Sequence, residues 1–171
     1  MAPFDYILLF GLSSASAYWL MVWNKYQSLK VHPQNIGQYL QNLKIRQDWL
    51  DEHSENELSM LLAQQLRKRF GQPVNTQVRI QATQTDKTRI DIDVAEGKVG
   101  IEVKLSKSLQ SANERNRLLG QVELYKEKKY NQQNLILVVV GKRHLAENHF
   151  LQDIKALLNK KKINFVYLQT I

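Results

Sequence analysis

The chain has 171 residues, enough for one domain with an appendage and a real hydrophobic core, and too few for a second enzyme domain. Its 24 Lys and Arg against 16 Asp and Glu give a formal charge of +8, which favours a polyanionic partner, either nucleic acid or an anionic membrane surface. The absence of cysteine excludes disulfides, zinc thiolate sites and thiol nucleophiles, so any bound metal must use oxygen or imidazole ligands.

Residues 4–23 read FDYILLFGLSSASAYWLMVW, with Asp5 as the only charge. As a helix rising about 1.5 Å per residue, the stretch is about 30 Å long, the thickness of a bilayer's hydrocarbon core. Tyr6, Tyr18, Trp19 and Trp23 fall near its ends, where amphipathic rings favour the headgroup level. Lys25, Lys30, Lys44 and Arg46 follow it and no basic side chain precedes it, so a single-pass membrane helix with a cytoplasmic C-terminal domain is expected. Two other readings compete. Ala15, Ser16 and Ala17 have a signal-peptidase pattern, but the opening MAPFD lacks the positive charge of a secretory signal. The serines and glycine also leave the stretch only moderately hydrophobic, compatible with a core helix; length and flanking charge favour the anchor.

Residues 24–47 are polar, rich in glutamine and interrupted at His32-Pro33, with Ile36, Tyr39, Leu40 and Leu43 at the spacing of a short amphipathic helix. They are expected to be a connector, leaving residues 48–171 as the main domain.

Ser54-Glu55-Asn56-Glu57 is a capping box and starts a helix. Leu58, Leu61, Leu62, Leu66 and Phe70 form its apolar stripe, and Gly71-Gln72-Pro73 ends it. Three strand-like segments follow, over residues 74–82, 89–95 and 99–105. Residues 108–129 are long, polar and free of proline, a helix. The aliphatic run LILVVV within residues 134–140 predicts a strand buried on both faces. A further helix over residues 150–158 and a strand over 163–168 complete the order α-β-β-β-α-β-α-β.

The chemistry is concentrated in TRIDIDVAEGKVGIEVKL. Alternation puts Ile90, Ile92 and Val94 on one side with Ile101, Val103 and Leu105, and leaves Asp91, Asp93, Glu102 and Lys104 on the other. A two-residue turn at Glu96-Gly97 pairs Val94 with Val99 and Ile92 with Ile101, bringing Asp91 opposite Glu102. Two carboxylates about 4 Å apart repel by roughly 4 kcal/mol at an effective dielectric of 20. A nearby lysine offsets part of this, and a hard divalent cation offsets more. Such a cation would polarise a phosphodiester and lower the pKa of bound water, with Lys104 orienting the nucleophile or stabilising developing negative charge.

A hairpin with Asp91, then Ile101-Glu102-Val103-Lys104, preceded by a helix with an early glutamate and followed by a helix and strand, resembles the PD-(D/E)xK nuclease superfamily. The resemblance covers most of residues 54–171. It implies the restriction endonuclease-like α/β fold, a mixed central sheet flanked by helices. It also implies magnesium or manganese held by Asp91, Glu102 and Val103, and Lys104 assisting the attacking water. Ile90 stands where the motif's name has proline, a departure common in the superfamily.

Many members add a glutamate from the first helix. Glu55 lies within the stripe of Leu58, Leu62 and Leu66, whereas Glu57 lies off it and is engaged in capping; Glu55 is thus the candidate, beside the reading of a surface glutamate at the helix amino end. Gln121 and Tyr125 share a helix face with Arg117, and their Gln-x-x-x-Tyr spacing is similar to the signature of the RecB-like exonuclease branch. Asp93, opposite Gly100 and nearer the turn, is expected to be solvated or to stand behind the metal ligands as a supporting residue. Arg67-Lys68-Arg69 and the lysine runs at 126–129 and 160–162 are compatible with phosphate contacts but are most often solvated helix surface. His144 and His149 lack metal-ligand spacing, and no phosphate loop, nucleophile elbow, zinc-protease or dinucleotide motif is present.

The expectation is a magnesium- or manganese-dependent nuclease acting on nucleic acid, DNA foremost, and tethered through residues 4–23 to the cytoplasmic face of a membrane. The alternatives are an inactive nuclease-fold protein that binds nucleic acid or a protein at the membrane, and a membrane interaction protein with no nucleic-acid role. DNA versus RNA preference, endo- versus exonucleolytic action, specificity and oligomeric state, a dimer included, stay open.

Overall fold

The computed structural model describes Trp19, Val22 and residues 30–80 and 88–171. Apart from those first two residues, the membrane helix expected over residues 4–23 lies outside the described residues. Among the described residues, no helix is long and apolar enough to cross a membrane. The chain divides into two compact units, Met1–Lys30 and Val31–Ile171, and the second carries the architecture below.

Helix α1 (Pro33–Gln41) starts with proline in its first turn, where the missing N–H costs nothing, and the His32 side chain accepts from the Gln34 amide. Its Ile36 and Leu40 are fully buried. A Cβ at Gly37 would lie 3.2 Å from a methyl of Val166, a tight contact that the glycine avoids where the helix meets β5. Ile45 bridges to Thr170, and the Gln47 amide donates to the Ile171 carbonyl. Much of the segment expected to be a connector is therefore part of the packed unit. After α2 (Gln47–Glu52), helix α3 (Glu55–Phe70) begins at the Ser54–Glu57 capping box and ends at Gly71, whose φ of +63° closes it with a left-handed cap. Leu58, Leu62, Leu66 and Phe70 are buried as their spacing predicts; Leu61 is half-buried.

Five strands follow in one sheet of order β1-β2-β3-β4-β5: β1 (Val74–Arg79), β2 (Arg89–Val94), β3 (Val99–Leu105), β4 (Leu135–Gly141) and β5 (Asn164–Gln169). The first three are antiparallel neighbours, while β3, β4 and β5 run parallel, linked by helices α4 (Ala112–Lys128) and α5 (His149–Lys160). The chain is a mixed α/β domain with a five-stranded sheet flanked by helices. One core holds α1 and α3 against Ile101, Val103, Leu105 and Val138; the other holds α4 and α5 against Leu135, Leu137 and Val139. The continuous aliphatic run of β4 feeds both cores.

The hairpin of β2 and β3 has the predicted register, with Val94 opposite Val99, Asp93 opposite Gly100 and Ile92 opposite Ile101. Glu96 and Gly97 both have positive φ, +56° and +93°, as a two-residue hairpin turn requires. Two departures follow further along. The ladder stops at Ile92–Ile101, one step before Asp91 would have paired with Glu102. Ile90, expected beside Ile92, instead packs in the opposite core with Tyr125 and Tyr130. Both strands of the β1–β2 ribbon break their alternation at this level. Gln77, which the register sets across from Asp91, has φ +53° within β1, and no ladder pair joins the two residues.

Candidate active site

Where β2 leaves β3, two main-chain amides of β3 lose a strand partner, and carboxylates replace it. The Val103 amide donates to Asp91 Oδ2 at 2.8 Å, and the Leu105 amide donates to Glu55 Oε2 at 3.0 Å. A buried amide left without an acceptor costs about 1–3 kcal/mol, so both acids have a structural task here. Asp91 Oδ1 in turn accepts from the Gln77 side-chain amide at 2.9 Å.

Glu102 and Lys104 project to the α4 side of β3. Glu102 is 3% exposed; its Oε1 lies 3.1 Å from the Lys104 ammonium, and its Oε2 is 3.0 Å from the Tyr125 hydroxyl. That hydroxyl also lies 2.7 Å from the Arg89 carbonyl, with one proton to donate between two acceptors. Burial, reinforced by the charge of Asp91, pushes the Glu102 carboxyl up to about 7, against the opposing pull of Lys104. Burial pushes the Lys104 ammonium down, but Glu102, Glu55 and Asp91 outweigh it, and its pKa is raised. Burial and Glu102 together raise the Tyr125 phenol as well.

Asp91, Glu102, Lys104 and Gln121 all line a cavity of about 760 Å³ that opens to solvent, together with Gln77, Arg89 and Arg117. Gln121 Oε1 is buried there without any hydrogen-bond partner. Tyr125 reaches the site through Glu102. Arg117, on the exposed side of α4, is paired with Glu114 at 2.7 Å. Glu55 does not line this cavity; it stands 3.7 Å from Lys104 Nζ, beside the Leu105 amide. Val103 has one atom to offer a cation, its carbonyl oxygen, on the strand edge whose amide faces Asp91.

Asp93 departs from its expected solvated character. It is 2% exposed and accepts from the Gly97 amide at 2.7 Å, Lys129 Nζ at 2.7 Å and the Tyr130 hydroxyl at 2.6 Å. Tyr130 lies so close over Gly100 that an added Cβ would sit 2.8 Å from its ring. This aspartate ties the hairpin turn to the end of α4. His144 and His149 are exposed, as expected.

Among the described residues, no group of three His, Asp or Glu side chains converges to hold a metal. Two hard carboxylates face the cavity, one of them with a pKa raised by burial and by the other, beside an unpartnered amide oxygen. That donor chemistry fits a hard divalent cation that completes its shell with water. Gln77 and Arg89 are additions to the residues singled out by sequence. Compared with known proteins, the chain matches no family model, no curated protein and no solved structure.

Proposed function

We propose that the chain is a divalent-metal-dependent nuclease of the PD-(D/E)xK type that hydrolyses DNA phosphodiester bonds at the cavity where β2 and β3 part. The observation that carries this reading is the convergence of Asp91, Glu102 and Lys104 on that cavity. The element order α3-β1-β2-β3-α4-β4-α5-β5 also supports the restriction endonuclease-like fold. Asp91 and Glu102 would hold magnesium or manganese, with the Val103 carbonyl beside them. When bound, the ion supplies Lewis acidity toward a phosphoryl oxygen and its water. Lys104, with its raised pKa, stays protonated at neutral pH; it donates hydrogen bonds and offsets negative charge developing on the phosphorane oxygens. Glu55 and Glu102 hold its ammonium from two sides. Tyr125 fixes the Glu102 carboxylate, and Gln121 has an acceptor oxygen free for a substrate or water donor. In this proposal residues 4–23 anchor the enzyme to the cytoplasmic face of a membrane.

A second reading, a nuclease-fold protein that binds nucleic acid or a protein without cleaving, is favoured by one observation. Asp91 and Glu55 are spent on main-chain amides, and among the described residues no third acid lines the cavity. The full chain should be incubated with single-stranded, duplex and branched DNA and with RNA, in magnesium, manganese or EDTA. Metal-dependent cleavage that disappears in Asp91→Asn and Lys104→Gln supports the enzyme. Binding without cleavage in every metal supports the second reading.

A further inference from the structure

We propose that Arg79 and Arg89 form a phosphate-binding subsite that grips the nucleic-acid strand as it runs past the acid pair. The proposal rests on the nucleic-acid part of the reading above and is independent of cleavage.

Arg79 ends β1, Arg89 begins β2, and the register sets them directly opposite each other, so their side chains leave the ribbon on the same face. Both are exposed, and among the described residues neither guanidinium has an ion pair or a side-chain hydrogen bond. Arg67 donates to the Val74 carbonyl, Arg115 to the carbonyls of Leu109 and Gln110, and Arg117 to Glu114, while Arg143, exposed beyond β4, is likewise unpaired among the described residues but has no second arginine set opposite it. Two like charges directly across an antiparallel pair destabilise it, and neutral residues would suit the ribbon better. The arrangement makes sense when an anion lies between the two.

The location identifies the anion. Arg89 lines the cavity with Asp91, two residues further along β2, about 7 Å at strand rise. That step is comparable to the distance between successive phosphates of one strand. Arg117 faces the same cavity from α4, so Arg89, Lys104 and Arg117 surround Asp91 and Glu102. A polyanion with spaced charges can place one phosphate at the acids and the next at the arginines, whose planar forks bind phosphate oxygens in pairs. A bilayer presents its headgroups in a broad surface and cannot enter a recess with carboxylates at its floor.

The test is binding of labelled single-stranded and duplex oligonucleotides to the full chain by fluorescence anisotropy, in EDTA, across a KCl series. Compared with the wild type, Arg79→Gln/Arg89→Gln should bind about tenfold or more weakly at 0.1 M salt. Its slope of log affinity against log salt should be shallower by about 0.7–0.9 per arginine. Arg79→Lys/Arg89→Lys should keep the slope and lose several-fold in affinity. Thermal unfolding should leave the Gln variant as stable as the wild type or more so, because the repulsion is gone. Wild-type affinity and slope in the double Gln variant overturn the proposal, and so does a wild type that binds no oligonucleotide. Loss of binding to anionic vesicles with oligonucleotide binding retained overturns it in favour of lipid. Because the assay needs no metal, a chain that binds through these arginines yet cleaves nothing keeps the subsite and removes only the nuclease reading.

Discussion

Asp93 and Asp91 stand two residues apart on β2, and their surroundings differ completely. Asp93 lies inside the ladder near the turn, with a main-chain amide, an ammonium and a phenol as donors. Asp91 lies where the ladder has ended, half-buried, with one oxygen on a main-chain amide and the cavity beside it. A strand that stays paired makes an aspartate part of the scaffold. A strand that departs from its neighbour leaves its aspartate at the cavity edge, held there by one main-chain and one side-chain amide.

Exchanging each carboxylate for its amide should separate the two aspartates most sharply. In the proposed enzyme, Asp91→Asn should lower metal-dependent cleavage by about 10²–10³-fold, the scale of losing one preorganised electrostatic contact. Asp93→Asn should leave the cleavage rate within a few-fold of wild type but destabilise the domain by about 1–3 kcal/mol, since an amide in place of this buried carboxylate cannot accept from all three of its donors. Cleavage kinetics and urea denaturation of both variants separate the roles. Equal activity losses with unchanged stability would mean that both aspartates serve the site.

A second test uses pH. The Glu102 carboxyl is pushed up to about 7 in the folded protein from an ordinary value of 4.5, so the fold holds this proton more tightly than the unfolded chain does. Its contribution is therefore fully present below about pH 4.5 and is lost as pH rises to about 7, on the order of 3 kcal/mol. In EDTA, unfolding free energy should decline across that window, and Glu102→Gln should flatten the decline and exceed wild-type stability above pH 7. Magnesium or manganese should restore wild-type stability at the upper end of the window, if Glu102 holds the ion. An unchanged pH profile in the glutamine variant would show that Glu102 titrates as an ordinary carboxylate.

The hairpin was legible because its signals are local. Gly97 permits the turn, alternation fixes the faces, and the register from Val94 to Ile101 follows. The capped start of α3 and the buried β4 were legible for the same reason. The burial of Asp93 is not legible in the sequence because its partners, Lys129 and Tyr130, come from 36 and 37 residues downstream. The spacing of Ile36 and Leu40 marks an amphipathic helix, but nothing local says which surface it covers; in the structure both pack in one core with Val166 and Leu168 of β5. The crossing of Ile90 to the other core was hidden because alternation assumes a regular strand. Gln77, the residue across from that break, is not a glycine that would have advertised a left-handed turn.

Gln77 also gives the smallest and most discriminating test. A non-glycine residue at φ +53° costs about 1–2 kcal/mol relative to an ordinary strand conformation. Here that conformation accompanies a side-chain amide that holds Asp91 Oδ1 at 2.9 Å. Gln77→Ala removes the amide and keeps the strained backbone, whereas Gln77→Gly removes both. The glycine variant should be more stable than the alanine variant by about 1 kcal/mol, while both lose cleavage by a similar factor, about tenfold, since Asp91 has lost the same orienting contact in each. If activity instead follows stability across the pair, the backbone kink rather than the amide positions Asp91. The parting of the strands would then be the feature that sequence comparison should seek.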